Sequence, residues 1–431
     1  MRMLHALRTR TALAVVVITA SVMVTALATP AFAAPGDLDS SFGSNGKVKW
    51  SFTTGRDSAQ GVAVQSGGKI LVAGQTDGDT FAVARFLSNG TPDSGFGVGG
   101  LSAVTSLGSS AVVYATSVAV QGDGKILVAG EGDPGAVVVR MNTNGSLDGG
   151  FGNGGIAAAT FLDHGEGADD VAIQANGKIV IAGYAYNASQ RQFFAVARFT
   201  KAGQLDTTFS GNGMATLGFA SGDSHGSAVV IQPSDQKILA IGWCDSKSNG
   251  TNIAVIRLNT DGTPDTTFAG DGFAGYSDGA GATGKDGEVD SAGHIIVAGY
   301  GSEAHKADFA LIEIGPAGHL NGNFGTGGKV LTDFAGDFDY GEAMALQSDD
   351  KIVVAGYSWQ GSSHEYDFAL ARYKTTGKLD KKFGTNGLVT TSFGNDDDAS
   401  DVAIQSDGRI VVVGITQTPS SGQFALARYL A

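Results

Sequence analysis

The chain reads as an all-β protein, a seven-bladed β-propeller with four antiparallel strands per blade, and three observations predict it. First, a passage that starts Phe-Ala-Val-Ala-Arg at Phe81 and continues through Asn89-Gly90 and Pro92-Asp93-Ser94-Gly95-Phe96-Gly97 recurs as far as Phe424-Ala-Leu-Ala-Arg428-Tyr429. Second, its arginine column falls at Arg85, Arg140, Arg198, Arg257, Glu313, Arg372 and Arg428, a nearly constant step. A fixed period of this kind marks a set of supersecondary units, none of which can bury its apolar face alone. Third, the two ends are complementary fragments. After Ala33 the chain opens with Leu38-Asp39-Ser40-Ser41-Phe42 and a strand from Lys47 to Phe52, which is the fourth strand of a repeat without its first three. It finishes with Asp401 to Gln405, Arg409 to Gly414 and Gln423 to Leu430, the first three strands without a fourth. The fragments add to one blade, so the termini are expected to meet and close the ring, which removes open sheet edges. An open β-solenoid, with shorter coils and pairing between repeats, is the other all-β arrangement, and these ends argue against it.

Within one repeat the elements follow in order. Around residue 170, Ala168 to Gln174 alternates into Val171 and Ile173, Lys178 to Gly183 reads KIVIAG, and Phe194 to Phe199 reads FAVARF. After the Leu205-Asp206-Thr207-Thr208-Phe209 turn, Met214 to Phe219 supplies the fourth strand. Short Val- and Ile-rich runs bounded by Gly, Asn and Asp are strand signals. The first two strands are joined by Ala175-Asn176-Gly177, and one copy earlier by Gly122-Asp123-Gly124. Asn-Gly and Asp-Gly reach positive φ at little cost, as hairpin turns require.

Composition bounds the function. Of 431 residues 66 are Gly and 8 Pro, so turns are many and neither a collagen-like nor a Pro-rich chain fits. Residues 1–33 hold Arg2, Arg8 and Arg10 and no acid; removing those three from the 28 basic residues leaves 25 against 42 acids, a net of −17. Such a surface repels phosphate backbones, so no nucleic-acid partner is expected. The same N-terminal segment reads as a signal peptide: a basic start, an apolar stretch from Thr11 to Ala28, and Ala31-Phe32-Ala33 as a cleavage site before Ala34-Pro35. Residues 34–431 are then a single exported propeller domain, secreted or held at the cell envelope, monomeric, with no membrane span after cleavage. An uncleaved N-terminal anchor is the competing reading. The one cysteine, Cys244, excludes an intramolecular disulfide.

Comparing the copies gives a pairing rule. Eight residues after each arginine stands an aspartate: Arg85 and Asp93, Arg140 and Asp148, Arg198 and Asp206, Arg257 and Asp265, Arg372 and Asp380. The fifth copy breaks both positions together, giving Glu313 and Asn321. Joint loss of cation and anion predicts a charge-assisted hydrogen bond that fixes the turn before the outer strand; two separately solvated charges are the alternative. On this rule Arg428 is completed by Asp39 from the other end of the chain.

The L-D-x-x-F-G turn, the V-A-V-Q-x-D-G-K-I-L-V-A-G hairpin and the F-A-L-A-R-Y strand together resemble the delta-60 repeat, a bacterial β-propeller repeat. The resemblance covers essentially all of residues 36 to 431 and implies a propeller of exported proteins without an established common activity. The fifth copy departs most, with Asp290 where Gln232 and Gln347 stand in others, His294 in place of Lys, and Glu313 in place of Arg.

No catalytic residues are assigned. Gly95-Phe96-Gly97-Val98-Gly99-Gly100 matches a dinucleotide fingerprint in letters but no helix follows it, and Gly222-Asp223-Ser224-His225-Gly226 matches a serine elbow without its strand-turn-helix setting. His164, His225, His305 and His364 are scattered through loops and read as solvated. Function is expected on the variable loops of one face. Loops between strands two and three carry Tyr184, Tyr186, Trp243, Tyr300, Tyr357, Trp359 and Tyr366, the candidate ligand-binding residues. Loops leading into strand one carry Asp163, Glu166, Asp223, Asp337, Asp339 and the run Asp396, Asp397, Asp398, the last three being candidate Ca²⁺ ligands. No other cofactor is expected. Packing of the aromatics between blades, with the acids as loop charge, is the structural alternative. The favoured function is a non-catalytic exported scaffold that binds an extracellular polymer, a carbohydrate, or a protein. The alternative is a propeller enzyme, a lyase or hydrolase, with carboxylate and histidine chemistry at the axial mouth.

Overall fold

Residues 33–76, 80–104, 112–133, 135–162, 165–220, 222–246, 250–277, 281–303, 306–334, 337–361, 365–418 and 421–431 are described by a computed structural model. The signal-peptide segment, Asp163, His164, His305 and His364 lie outside the described residues. From Ala34 on the chain forms one unit of seven four-stranded antiparallel sheets. No helix occurs among the described residues, and so none that could cross a membrane. The innermost strands of blades one to seven are Ser58–Val64, Val112–Val120, Glu166–Ile173, Ser224–Ile231, Ala282–Val289, Asp339–Leu346 and Asp396–Ile404. Each packs against the innermost strands of both neighbouring blades, blade seven's against blade one's, which closes the circle.

Closure uses the two chain fragments as the sequence implies. Lys47–Trp50 adds antiparallel to Ser421–Tyr429 as the outer strand of blade seven, with Lys47 opposite Ala427 and Trp50 opposite Phe424. In blade three the strands are Glu166–Ile173, Ile179–Tyr186, Gln192–Phe199 and Met214–Leu217. The middle strands run further toward one face than the sequence suggests, because Tyr184, Ala185 and Tyr186 continue the ladder opposite Phe194, Phe193 and Gln192.

The core lies between blades. Val180, Ala182, Phe194, Val196 and Phe209 of blade three meet Val229, Ile238, Ala240 and Ile256 of blade four in one cluster, and Phe42, Val48 and Phe424 meet Val62, Ile70 and Phe86 at the closure. A blade covered on both faces explains why FAVARF is buried throughout rather than alternating. Each large apolar side chain so buried contributes roughly 1.5–3 kcal/mol.

One glycine admits every fourth strand. Gly46, Gly100, Gly155, Gly213, Gly272, Gly328 and Gly387 stand at φ between 88° and 110°. Their carbonyls accept the N–H of the arginine-column residue at 2.8–3.0 Å. Beneath that backbone frame the side chains pair. Arg85, Arg140, Arg198 and Arg257 donate through Nε to Asp93, Asp148, Asp206 and Asp265 at 2.6–2.8 Å, and Arg372 Nη2 lies 3.1 Å from Asp380. Arg428 Nε donates to Asp39 at 2.9 Å across the closure. Each guanidinium also stacks 4.3–4.9 Å over the phenylalanine of its turn, from Phe96 to Phe42. The arginine further joins blades: Arg140 Nη1 donates to the Lys201 carbonyl at 2.6 Å and Arg257 Nη1 to that of Pro316 at 2.7 Å.

The candidate site at the axial mouth

Seven β-bulges build the mouth of the channel. Each innermost strand slips register by one residue against its neighbour, between Ala59 and Gly61, Ala115 and Ser117, Ala168 and Asp170, Gly226 and Ala228, Gly284 and Asp286, Gly341 and Ala343, and Ala399 and Asp401. The partner strand permits this through a glycine at the same position in every blade. At Gly74, Gly130, Gly183, Gly242, Gly299, Gly356 and Gly414 an added Cβ would stand 1.8–2.1 Å from a carbonyl oxygen of the bulged strand. A bulge re-aims a side chain. Here the extra residues Gln60, Thr116, Asp169, Ser227, Lys285 and Ser400, with Glu342, line an open cavity of about 310 Å³.

The residue after each bulge forms a deeper ring: Gly61, Ser117, Asp170, Ala228, Asp286, Ala343 and Asp401. Its three aspartates alternate with small residues, and each reaches into the following blade. Asp170 Oδ2 accepts the Val229 N–H at 2.9 Å, Asp286 that of Met344 at 2.8 Å and Asp401 that of Val62 at 2.6 Å. At Gly61 the small residue admits the backbone of blade two, since an added Cβ would stand 2.9 Å from Ser117 Cα and the Thr116 carbonyl. Burial first raises Asp170 and Asp286 and lifts Asp401 to about 7, with added repulsion from Asp169 at Asp170 and from other acids of the ring at Asp286 and Asp401; burial also lifts Glu288, on the innermost strand of blade five, to about 7.

Above this ring the rim is uneven. The column that follows this glycine reads Gln75, Glu131, Tyr184, Trp243, Tyr300, Tyr357 and Ile415, so four consecutive blades, three to six, present aromatics. His225 lies between two of them, stacked on Tyr184 with centroids 4.9 Å apart and on Trp243 at 5.9 Å. Its Nε2 bonds Asp169 and its Nδ1 lies 3.0 Å from Gln192 Nε2. Gly167 makes the space, since a Cβ there would meet the Tyr184 ring at 3.0 Å. Tyr184 Oη donates to Glu131 at 3.2 Å. Burial, then the nearby Glu131 and Asp169 charges, pushes the Tyr184 hydroxyl well above the usual tyrosine range. Around blades five and six, Tyr340 gathers Tyr300 at 5.0 Å, Tyr357 at 5.1 Å and Tyr366 at 6.3 Å, while Trp359 packs on Tyr366 at 5.0 Å. Lys285 bonds Glu342 at 2.9 Å and sits 5.7 Å over the Tyr300 ring.

The candidate aromatics thus form two groups, Tyr184, Tyr186 and Trp243 around His225, and Tyr300, Tyr357, Trp359 and Tyr366 around Tyr340, all half-buried. Of the candidate acids Asp396 and Asp398 come near the second group, while the others serve the loops. Glu166 Oε2 accepts the N–H groups of Phe161 and Leu162 at 2.8 and 3.1 Å, Asp339 that of Phe334 at 2.8 Å and Asp397 that of Phe393 at 2.5 Å. These buried carboxylates close the loop from the outer strand to the next blade, a role Asp57 fills for Phe52 at 2.7 Å. Asp223 accepts from the Gln192 N–H at 3.0 Å and Asp337 pairs with Lys306 at 3.0 Å. Along its strand Asp397 faces opposite to Asp396 and Asp398, which bond the Tyr366 N–H and Gln417 at 2.9 and 3.0 Å.

One sequence expectation changes. His225 is not a solvated loop histidine but the centre of a stack, a role given away only by the partners that the fold brings to it. Ser224 of the elbow-like passage is fully buried at a strand start. Asp169, Asp170, Lys285, Asp286, Glu342 and Asp401 are site residues that sequence reasoning does not single out; charged letters just before a Val-Ala-Ile run are an available signal for Asp169, Asp170 and Asp401 only. Cys244 is a buried free thiol, lifted to about 11 by burial.

Six stretches, 65–96, 121–151, 174–209, 234–268, 347–383 and 405–431, match the model described as "Domain of unknown function (DUF5122) beta-propeller". They fall in blades one to four, six and seven. No curated protein matches the chain. Among solved structures it is similar to a virginiamycin B lyase from Staphylococcus aureus, at 9% identity and a TM-score of 0.49, covering 88% of this chain and 98% of that one. It is also similar to the polysaccharide lyase Uly1 (9%, TM-score 0.44, 86% and 89%) and to a gluconolactonase from Xanthomonas campestris (11%, 0.39, 92% and 97%).

Proposed function

We propose that this chain, a propeller built on DUF5122 β-propeller repeats, is an exported, non-catalytic scaffold that holds a carbohydrate polymer at the mouth of its axial channel. The arc of half-buried aromatics in blades three to six, set beside the polar bulge ring, carries the reading. Tyr184, Trp243, Tyr300 and Tyr357 offer flat apolar faces to sugar rings, and Asp169, Glu342, Gln60 and Ser400 offer hydroxyl partners beside them. The acidic net charge favours a neutral or cationic polymer over an anionic one. The basic and then apolar segment ahead of Ala34 supports export. A ligand that prefers the native state raises its melting midpoint, so melting with a panel of neutral and amino-sugar oligosaccharides tests the proposal. The midpoint should rise with at least one member, and Trp243→Ala with Tyr357→Ala should abolish the rise. A flat response to the whole panel removes the reading.

One observation favours the enzyme alternative: a histidine and a carboxylate, His225 and Asp169, lie within hydrogen-bond reach at the mouth. Both imidazole nitrogens are engaged and both ring faces covered, which suits a holding role better than a base. Appearance of new reducing or unsaturated chain ends with the wild type, lost in His225→Ala, would reverse that preference.

A further inference from the structure

Blade five holds a second chemistry on the turn joining its first two strands. In the other six blades four columns meet there. They read Gln65, Gln121, Gln174, Gln232, Gln347 and Gln405; Lys69, Lys125, Lys178, Lys237, Lys351 and Arg409; the arginines; and the aspartates. In blade four this gives Lys237 Nζ and Arg257 Nε at 2.9 and 2.6 Å from one Asp265 oxygen, two cations on one anion. Blade five changes all four letters at once, to Asp290, His294, Glu313 and Asn321. The arginine's buried place is taken by a carboxylate whose side chain is 4% exposed.

We propose that Asp290 Oδ2, His294 Nδ1 and Glu313 Oε1 form a site for a divalent transition metal of the zinc type. The three atoms lie within 4.8 Å of one another, His294 Nδ1 being 3.1 Å from Asp290 and 3.7 Å from Glu313. Tetrahedral zinc with bonds of about 2.0–2.1 Å to nitrogen and oxygen places its ligand atoms about 3.3–3.4 Å apart, so small adjustments suffice. The ligands are held from behind. Asp290 Oδ1 accepts the N–H groups of Ala292 and His294 at 3.0 and 2.7 Å, which turns Oδ2 toward the imidazole. The Asn321 amide donates to Glu313 Oε1 while its own oxygen accepts the Asn323 N–H at 3.2 Å. An aspartate at 321, as in the other blades, could not donate and would add a third negative charge. Such outer partners orient ligands and tune affinity. His294 is a third exposed, so the fourth position opens to water.

The test is calorimetric titration of the full chain, stripped with a chelator, with Zn²⁺ alone, repeated with Co²⁺ while following its absorption. The wild type should show one saturable site with a tetrahedral Co²⁺ spectrum. His294→Ala should weaken Zn²⁺ at least tenfold, and the fourfold change Asp290→Gln, His294→Lys, Glu313→Arg and Asn321→Asp should abolish that site. The acidic group Asp308, Asp333 and Asp339 is untouched by these variants, so metal bound there leaves the difference readable. Should His294→Ala misfold by circular dichroism, the isosteric Glu313→Gln replaces it in the same comparison. An isotherm with no saturable site, or one unchanged by the substitution, overturns the proposal.

Discussion

Blades four and five stand side by side on one backbone and carry opposite charge. In both, a positive-φ glycine carbonyl, Gly272 or Gly328, accepts the arginine-column N–H, and the residue eight further on donates its N–H back, Asp265 to the Arg257 carbonyl and Asn321 to that of Glu313, at 2.8–3.0 Å. Both place a fully buried phenylalanine, Phe268 or Phe324, in the turn. Only the side chains differ: Lys237, Arg257 and Asp265 make a cationic knot, whereas Asp290, His294 and Glu313, with Asn321 donating to Glu313, make the proposed ligand set. Main-chain bonds therefore hold the blade's geometry, and the polar side chains are free to be exchanged as a group.

The comparison breaks if the side chains prove to hold the turn equally in both blades. The largest effect expected is from Asp265→Ala, which strands a buried guanidinium and should cost about 3 kcal/mol or more. Asn321→Ala removes two hydrogen bonds made by a neutral side chain and should cost about 1–2 kcal/mol. Denaturant midpoints of the two variants measure the gap, and equal costs would refute it. Next, Gly272→Ala and Gly328→Ala should cost alike, about 1–3 kcal/mol each, because both force a side chain into left-handed backbone; thermal melts that separate them would show that the frames are not equivalent.

Acidity sharpens the contrast by sign. Burial pushes Asp265 up, but hydrogen bonds from Lys237 and Thr267 with the Arg257 charge hold its carboxyl below the usual range. Its stabilisation is present above the unfolded value and lost as pH falls through the folded one. Glu313 is raised, chiefly by burial, so its contribution has the opposite sense and is lost as pH rises above about 4.3. Stability profiles should show Glu313→Gln gaining on the wild type with rising pH and Asp265→Asn losing to it. Asp401 and Glu288, each at about 7, share the sense of Glu313, so the wild type should melt lower at pH 8 than at pH 6. The smallest effect is Lys237→Ala, a quarter-exposed partner of Asp265, at under about 1 kcal/mol by chemical denaturation.

Much of this was legible in the letters. The blade count, the strand order and the closing strand all follow from the period, and the arginine and aspartate columns coincide with ion pairs in the structure. The departure of blade five was visible as Asp290, His294 and Glu313. Hidden were the partners: nothing in the passage around His225 names Asp169, a whole blade earlier, or Tyr184. The acids before each first strand read as ligand loops, yet Glu166, Asp339 and Asp397 turn inward because loop N–H groups left beyond the outer strand need acceptors.

By itself the sequence determined what repeats, since hairpins, turns and the spacing of apolar residues are local and each copy states them again. Only the tertiary structure decided what converges. The bulges turn one side chain per blade toward the axis, and blade packing sets residues from separate copies against one another. Neighbours across a ring carry no fixed spacing along the chain, and so the mouth and its chemistry exist only once the circle is closed.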